Sequence, residues 1–188
     1  MNNAQRLKIL TETGRTVFSL KNLQSLWGAN VYSAKILAVR MADKKLIKRI
    51  ARGYYALKDE FNIYELANLI ISPSYVSLNS SLFYHGLSFQ VSNIVTSVGL
   101  LNYRKEIGKI TYKYYAMKKS LFFSLEGINY KKNLAMAKPE RAVLDCFYFG
   151  ILPNIDNSDK LNISYLKKIS LFYPKTVQAK IKKLMESA

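Results

Sequence analysis

A single cysteine, Cys146, excludes an intrachain disulfide, and with a single histidine, His85, the usual four-ligand Cys/His zinc sites cannot be assembled from this chain. Nucleotide-binding loops are missing as well. Gly108-Lys109 has neither the glycine-rich approach nor the following Ser/Thr of a P-loop, and no G-x-G-x-x-G opens a helix, so no cofactor and no metal are expected. Long apolar runs are also absent. Stretches such as Cys146 to Leu152 fall far short of the roughly 20 residues that span a bilayer, and the start, Met1 to Arg6, has no apolar segment behind it. These features predict a cytoplasmic protein with no membrane partner. There is no internal repeat and no low-complexity tract.

Acidic residues are scarce: 12 Asp and Glu stand against 29 Lys and Arg, a formal charge of +17 over 188 residues. Hydrophobic residues make up 49%, with 14 Tyr, 9 Phe and 1 Trp, enough apolar surface for a globular chain of one medium or two small domains. The charge is uneven. Residues 1–58 hold 12 basic and 2 acidic side chains, residues 59–130 hold 6 and 5, and residues 131–188 hold 11 and 5. A basic N-terminal third built of apolar-periodic segments reads as a folded cationic module made for a polyanion, ahead of a more neutral body.

Within that module, Leu7 and Leu10 mark a helix over about 3–13 that Gly14 can stop. Ser19 caps a short helix carrying Leu20, Leu23 and Trp27, closed by Gly28. Asn30 caps a third, from Val31 to about Lys45, whose Ala34, Leu37, Ala38 and Met41 share one face and leave Tyr32, Ser33, Lys35 and Arg40 on or beside the other. Residues 47–57 then alternate basic and apolar side chains around Gly53, which predicts a hairpin bearing Lys48, Arg49 and Arg52.

Three helices followed at once by a small basic hairpin have the order of a winged helix-turn-helix. An α-helix fits the major groove, where each base pair shows its own donor and acceptor pattern, and arginines of a wing reach phosphates or a narrow minor groove. Tyr32, Ser33, Lys35, Arg40, Lys48, Arg49 and Arg52 are therefore the candidate DNA contacts. Core packing for Tyr32 and an ordinary solvated face for Lys35 and Arg40 are the competing readings.

A domain boundary is placed near residue 58, giving 1–58 and 59–188. The second part predicts an α+β fold: a helix over 62–71, a helix capped by Ser77 and closed by His85-Gly86, strands at 93–98, 107–117 and 133–137, and an apolar helix from Pro139 to Phe149 with Glu140 in its first turn. Two basic amphipathic helices, 163–172 and 175–185, end the chain. Their lysines, Lys167, Lys168, Lys175, Lys180, Lys182 and Lys183, face solvent, DNA phosphates or an acidic partner. Ser77, His85, Asp145 and Cys146 are the groups on which catalysis could rest. His85 beside a helix-ending glycine suits a dipole partner, Cys146 an inert core position, and Asp145 a buried hydrogen-bonding anchor or an edge residue.

Three stretches resemble the AbiEi-type antitoxin and transcriptional regulator family of bacterial type IV toxin-antitoxin and abortive-infection systems. They are Leu46 to Tyr55, which ends in Arg52-Gly53-Tyr54-Tyr55; Ser74 to Leu87; and Ala137-Lys138-Pro139-Glu140-Arg141-Ala142-Val143-Leu144-Asp145. The resemblance implies a non-enzymatic repressor that binds inverted repeats in its own operator through the N-terminal module. It further implies a C-terminal domain that counteracts a nucleotidyltransferase-like toxin without a stable complex, with Ser77, His85, Glu140, Arg141 and Asp145 as its candidate residues. The rival reading is an enzyme acting on nucleic acid through the second domain; a third is a protein-interaction module built on the last helices.

Overall fold

The computed structural model describes residues 1–131 and 133–186, the last three of these through their backbone only. It is a mixed α and β structure that divides into two compact units, Met1–Ile70 and Ile71–Ala188. The division lies beyond residue 58, because the helix that opens the sequence-defined second domain packs on the first unit.

Unit one begins with α1 (Asn3–Glu12), whose cap Asn2 accepts from Gln5 N while the Gln5 side chain returns a bond to Asn2 N. Strand β1 (Val17–Ser19) follows, and Ser19 doubles as the cap of α2 (Leu20–Trp27), which Gly28 closes at a φ of 59°. Asn30 caps α3 (Val31–Asp43) by accepting from Ser33 N at 2.8 Å. The hairpin is β2 (Lys48–Ala51) and β3 (Tyr54–Ala56), turning through Arg52-Gly53. β3 is central, in the order β1-β3-β2, all antiparallel.

Strand β1 was not expected. Three residues cannot display an alternation of their own, and Val17-Phe18-Ser19 is extended only because it pairs with Ala56-Tyr55-Tyr54. Helix α4 (Ile63–Ile70) completes the unit, tied to the segment before β1 by the Glu65 carboxylate, which accepts from Thr16 N at 3.0 Å and Thr16 Oγ1 at 2.6 Å. Leu10, Phe18, Leu23, Trp27, Ala38, Met41, Ile47 and Tyr55 form the core. All three helix faces read from the sequence point into it.

Unit two is a six-stranded sheet in the order β6-β7-β5-β4-β9-β8. Its strands are β4 (Ser74–Val76), β5 (Ile94–Gly99), β6 (Tyr103–Ile107), β7 (Ile110–Ala116), β8 (Ile128–Lys131) and β9 (Leu134–Ala137). β5 runs parallel to β7, and β4 parallel to β9 at a single register pair, while the remaining pairs are antiparallel. Helices α5 (Leu78–Tyr84), α6 (Lys119–Phe122), α7 (Pro139–Tyr148), α8 (Ile163–Ser170) and α9 (Lys175–Glu186) accompany it. α7 is central, packing on α5, α8, α9 and β9.

The strand expected over 107–117 is β7, Ile110–Ala116, and the residues just before it turn back to an unexpected partner, β6. Gly108, with φ 60°, takes the first central position of a two-residue turn, and Ile107 pairs with Ile110. Tyr103-Arg104-Lys105-Glu106 hid its strand character behind charges that suit an edge strand, which must discourage pairing with other chains. β4, β8 and α6 also went unread, being three or four residues long.

Candidate functional site

The polar face of α3 is open. Tyr32, Lys35 and Arg40 are exposed and Ser33 is half-buried, while Ala34, Ala38 and Met41 are sealed in the core. Tyr32 keeps 75% of its surface, so core packing is not its role in this unit. Tyr32, Ile36 and Arg40 form one stripe at four-residue spacing. The hairpin lies beside this helix, since α3 packs against β2.

Lys48, Arg49 and Arg52 are exposed on the hairpin. Their states differ. Lys48 Nζ is 2.8 Å from Asp59 Oδ1, and the hydrogen bond and charge of Lys48 hold the Asp59 carboxyl below its ordinary range. Among the described residues no acidic side chain engages Lys35, Arg40, Arg49 or Arg52. A β-bulge between Arg49 and Ala51 bends this strand just before the turn. Between α3 and the hairpin runs a cleft of about 460 Å³ with Asp43 and Asp59 as well as Lys45, Lys48, Arg49 and Lys58 on its walls. Mixed charge there contrasts with the purely cationic helix face and hairpin tip.

In unit two the candidate residues separate into two groups. Asp145 is fully buried and collects four donors: Ser77 Oγ at 2.6 Å and Tyr75 OH at 3.1 Å on Oδ2, with Tyr173 OH at 2.5 Å and Arg141 Nε at 3.3 Å on Oδ1. It is the anchor rather than an edge residue. Arg141, 1% exposed, spends its other donors on the carbonyls of Leu121, Ser124 and Glu126 and on Tyr75 OH, each at 3.0 to 3.1 Å. Burial pushes the Asp145 carboxyl up, opposed by the Arg141 charge and by the Ser77, Tyr173 and Tyr75 hydroxyls. Burial pulls Arg141 down, but Asp145, Tyr173 and Tyr75 together push it up on balance. A carboxylate and a guanidinium with every partner in place form a fastener, holding α7 to β4, to α6 and the loop after it, and to the turn before α9.

Ser77 thus caps nothing: it precedes α5, but its hydroxyl goes to Asp145. Cys146 is wholly buried, and burial raises its thiol, consistent with an inert core residue. Glu140 accepts from Asn162 N at 2.9 Å and so positions the start of α8.

His85 stands apart from this cluster. Its Nε2 lies 3.1 Å from the Ala137 carbonyl oxygen, which also accepts from Ser81 Oγ at 2.7 Å. A carbonyl only accepts, so Nε2 carries the proton. Desolvation lowers the His85 pKa. Ser77, Asp145 and His85 are not brought into one chain of hydrogen bonds. Tyr75 and Tyr173 were missed; the available signal was Arg141 and Asp145 at i and i+4 in an otherwise apolar helix, a pair that burial forces to find further partners. Among the described residues no group of His, Cys, Asp and Glu could hold a metal ion, and no helix is long and apolar enough to cross a membrane.

Searches of protein families and of curated proteins give no match. Among solved structures the chain is similar to the crystal structure of the RV2827C protein from Mycobacterium tuberculosis, with a TM-score of 0.56 and 12% identity over 98% of this chain and 76% of that one. At that identity the likeness concerns the fold alone.

Proposed function

We propose that this chain is a DNA-binding transcriptional repressor whose first unit serves as a winged helix-turn-helix, and that its second unit is an AbiEi-type antitoxin domain acting against a nucleotidyltransferase-like toxin. The observation that carries the DNA half is that, among the described residues, no acidic side chain pairs with Lys35, Arg40, Arg49 or Arg52 on a helix and hairpin that pack side by side. Cations that no carboxylate neutralises keep their full attraction for phosphates. In this reading α3 enters the major groove, with Tyr32, Ser33, Lys35 and Arg40 at base edges, and the hairpin arginines hold the backbone or a narrow minor groove.

The antitoxin half rests on the sequence resemblance, together with the observation that its Pro-Glu-Arg and Asp positions are structural. Glu140, Arg141 and Asp145 are buried and hydrogen-bonded, so in this reading they act by holding α7 in place.

Binding to duplex DNA from upstream of the protein's own gene, against a scrambled duplex at two salt concentrations, tests the first half. Preference for the upstream duplex with a steep salt dependence is expected; equal binding of both duplexes refutes operator recognition. Coexpression with the neighbouring reading frame tests the second half, since growth rescue is expected only if that frame encodes the toxin.

A further inference from the structure

Beside His85, in unit two, a small cleft of about 70 Å³ is lined by Tyr84, His85, Asn129, Lys131, Leu134 and Met136. His85 is among the antitoxin-domain candidates, but neither the DNA-binding nor the antitoxin reading assigns the cleft a ligand. Its walls come from the end of α5 and from β8 and β9, and β8 is the last strand of the sheet, so the cleft opens at an edge.

The chemistry of the lining is one-sided. Lys131 supplies an exposed ammonium and Asn129 an amide, and among the described residues no carboxylate lines the cleft. His85 spends Nε2 on the Ala137 carbonyl, and no described residue bonds Nδ1. Leu134 and Met136 add apolar surface, which displaces water and strengthens any charge interaction made beside it. The Tyr84 ring stands edge-on to the imidazole, with centroids 5.2 Å apart and planes at 87°. The volume suits a single small group and is too small for a whole nucleotide or side chain cluster.

We propose that this cleft binds a small oxyanion group, a carboxylate or a phosphate, between the Lys131 ammonium and the His85 imidazole. The anion takes hydrogen bonds from Lys131 and Asn129, and in the charged state of the imidazole a third from Nδ1. Occupancy is then linked to protonation of His85: an anion favours the imidazolium, and the imidazolium favours the anion. The charges around the ring are Lys131 from β8, which opposes its protonation, and Glu140 from α7, which favours it. A bound anion offsets Lys131 and tips that balance.

His85 is the sole histidine, so its ring resonances are unambiguous in a proton NMR titration of the full chain. Sulfate serves as a phosphate analogue that does not titrate in this range, and acetate as the carboxylate, each compared with chloride at equal ionic strength. The midpoint of His85 is expected to rise by about half a pH unit, a threefold linkage, in one or both anions. A larger rise in sulfate assigns a phosphate-bearing ligand and a larger rise in acetate a carboxylate. Lys131→Gln, at an exposed position, should abolish the rise, and Lys175→Gln should leave it intact. Identical midpoints in all three salts, an unchanged rise in Lys131→Gln, or loss of the rise in Lys175→Gln overturns the proposal.

Discussion

Arg141 and Asp145 lie one turn apart on α7, with Nε 3.3 Å from Oδ1 and side-chain exposures of 1% and 0%. A charge pair this deep repays its desolvation only because both members are saturated with partners. Removing either member leaves the other charged, buried and unmatched. Arg141→Ala and Asp145→Ala should each cost unit two about 3 to 5 kcal/mol, measured by urea denaturation. The combined replacement Arg141→Met with Asp145→Leu should cost clearly less than the two single losses added together, because no orphan charge remains. Additive losses would mean that the pair carries no coupling.

Arg49→Ala and Arg52→Ala should weaken binding to every duplex alike, each lowering the slope of log affinity against log salt by about 1. Arg40→Ala should instead narrow the gap between upstream and scrambled duplexes by about 1 to 3 kcal/mol. Fluorescence anisotropy at several salt concentrations separates the two patterns. If all three variants bind as the parent does, α3 and the hairpin are not the DNA surface.

Gly127 has a φ of 78°, and a Cβ placed there would stand 2.9 Å from Arg141 Cβ and 3.4 Å from Ile169 Cδ1. Gly150, at φ 69°, has nothing within 4 Å. Both alanine substitutions strain the backbone, but only Gly127→Ala also collides with the helix carrying the buried pair. Gly127→Ala should cost about 2 kcal/mol or more, against about 1 for Gly150→Ala, in thermal or chemical unfolding.

The His85 ring loses solvent on folding, and its pKa falls below the ordinary value of 6.5. The unfolded chain therefore takes up this proton first on acidification. Stability from this residue is complete above about pH 6.5 and is lost as pH drops through the folded-state pKa. In a buffer of chloride alone, urea midpoints at pH 7.5 and 5.5 should differ more in the parent than in His85→Gln, whose amide still donates to the Ala137 carbonyl. Equal differences would show that His85 adds nothing to acid sensitivity.

What could be read in advance was whatever a few neighbouring residues decide. Ser19, Gly28 and Asn30 mark helix ends by local hydrogen bonding and local φ, and they do so where expected. The faces of α2 and α3 follow from three-and-four spacing, so the exposure of Tyr32, Lys35 and Arg40 could be anticipated. Lys48 shows the limit of this: its position was foreseen, its partner Asp59 was not, because ion pairing depends on where two side chains end up.

The linear order of residues by itself determined the helices of seven residues or more, the basic character of the first unit and the short hairpin, since propensity, capping and periodicity act within a turn or two of the chain. Only tertiary structure decided the three-residue strands, the boundary after Ile70 and the roles of Ser77, Arg141 and Asp145. Each of those depends on partners distant in sequence: Val17 is a strand because Ala56 is opposite, and Ser77 gives up its cap because Asp145, buried and charged, accepts its hydrogen bond.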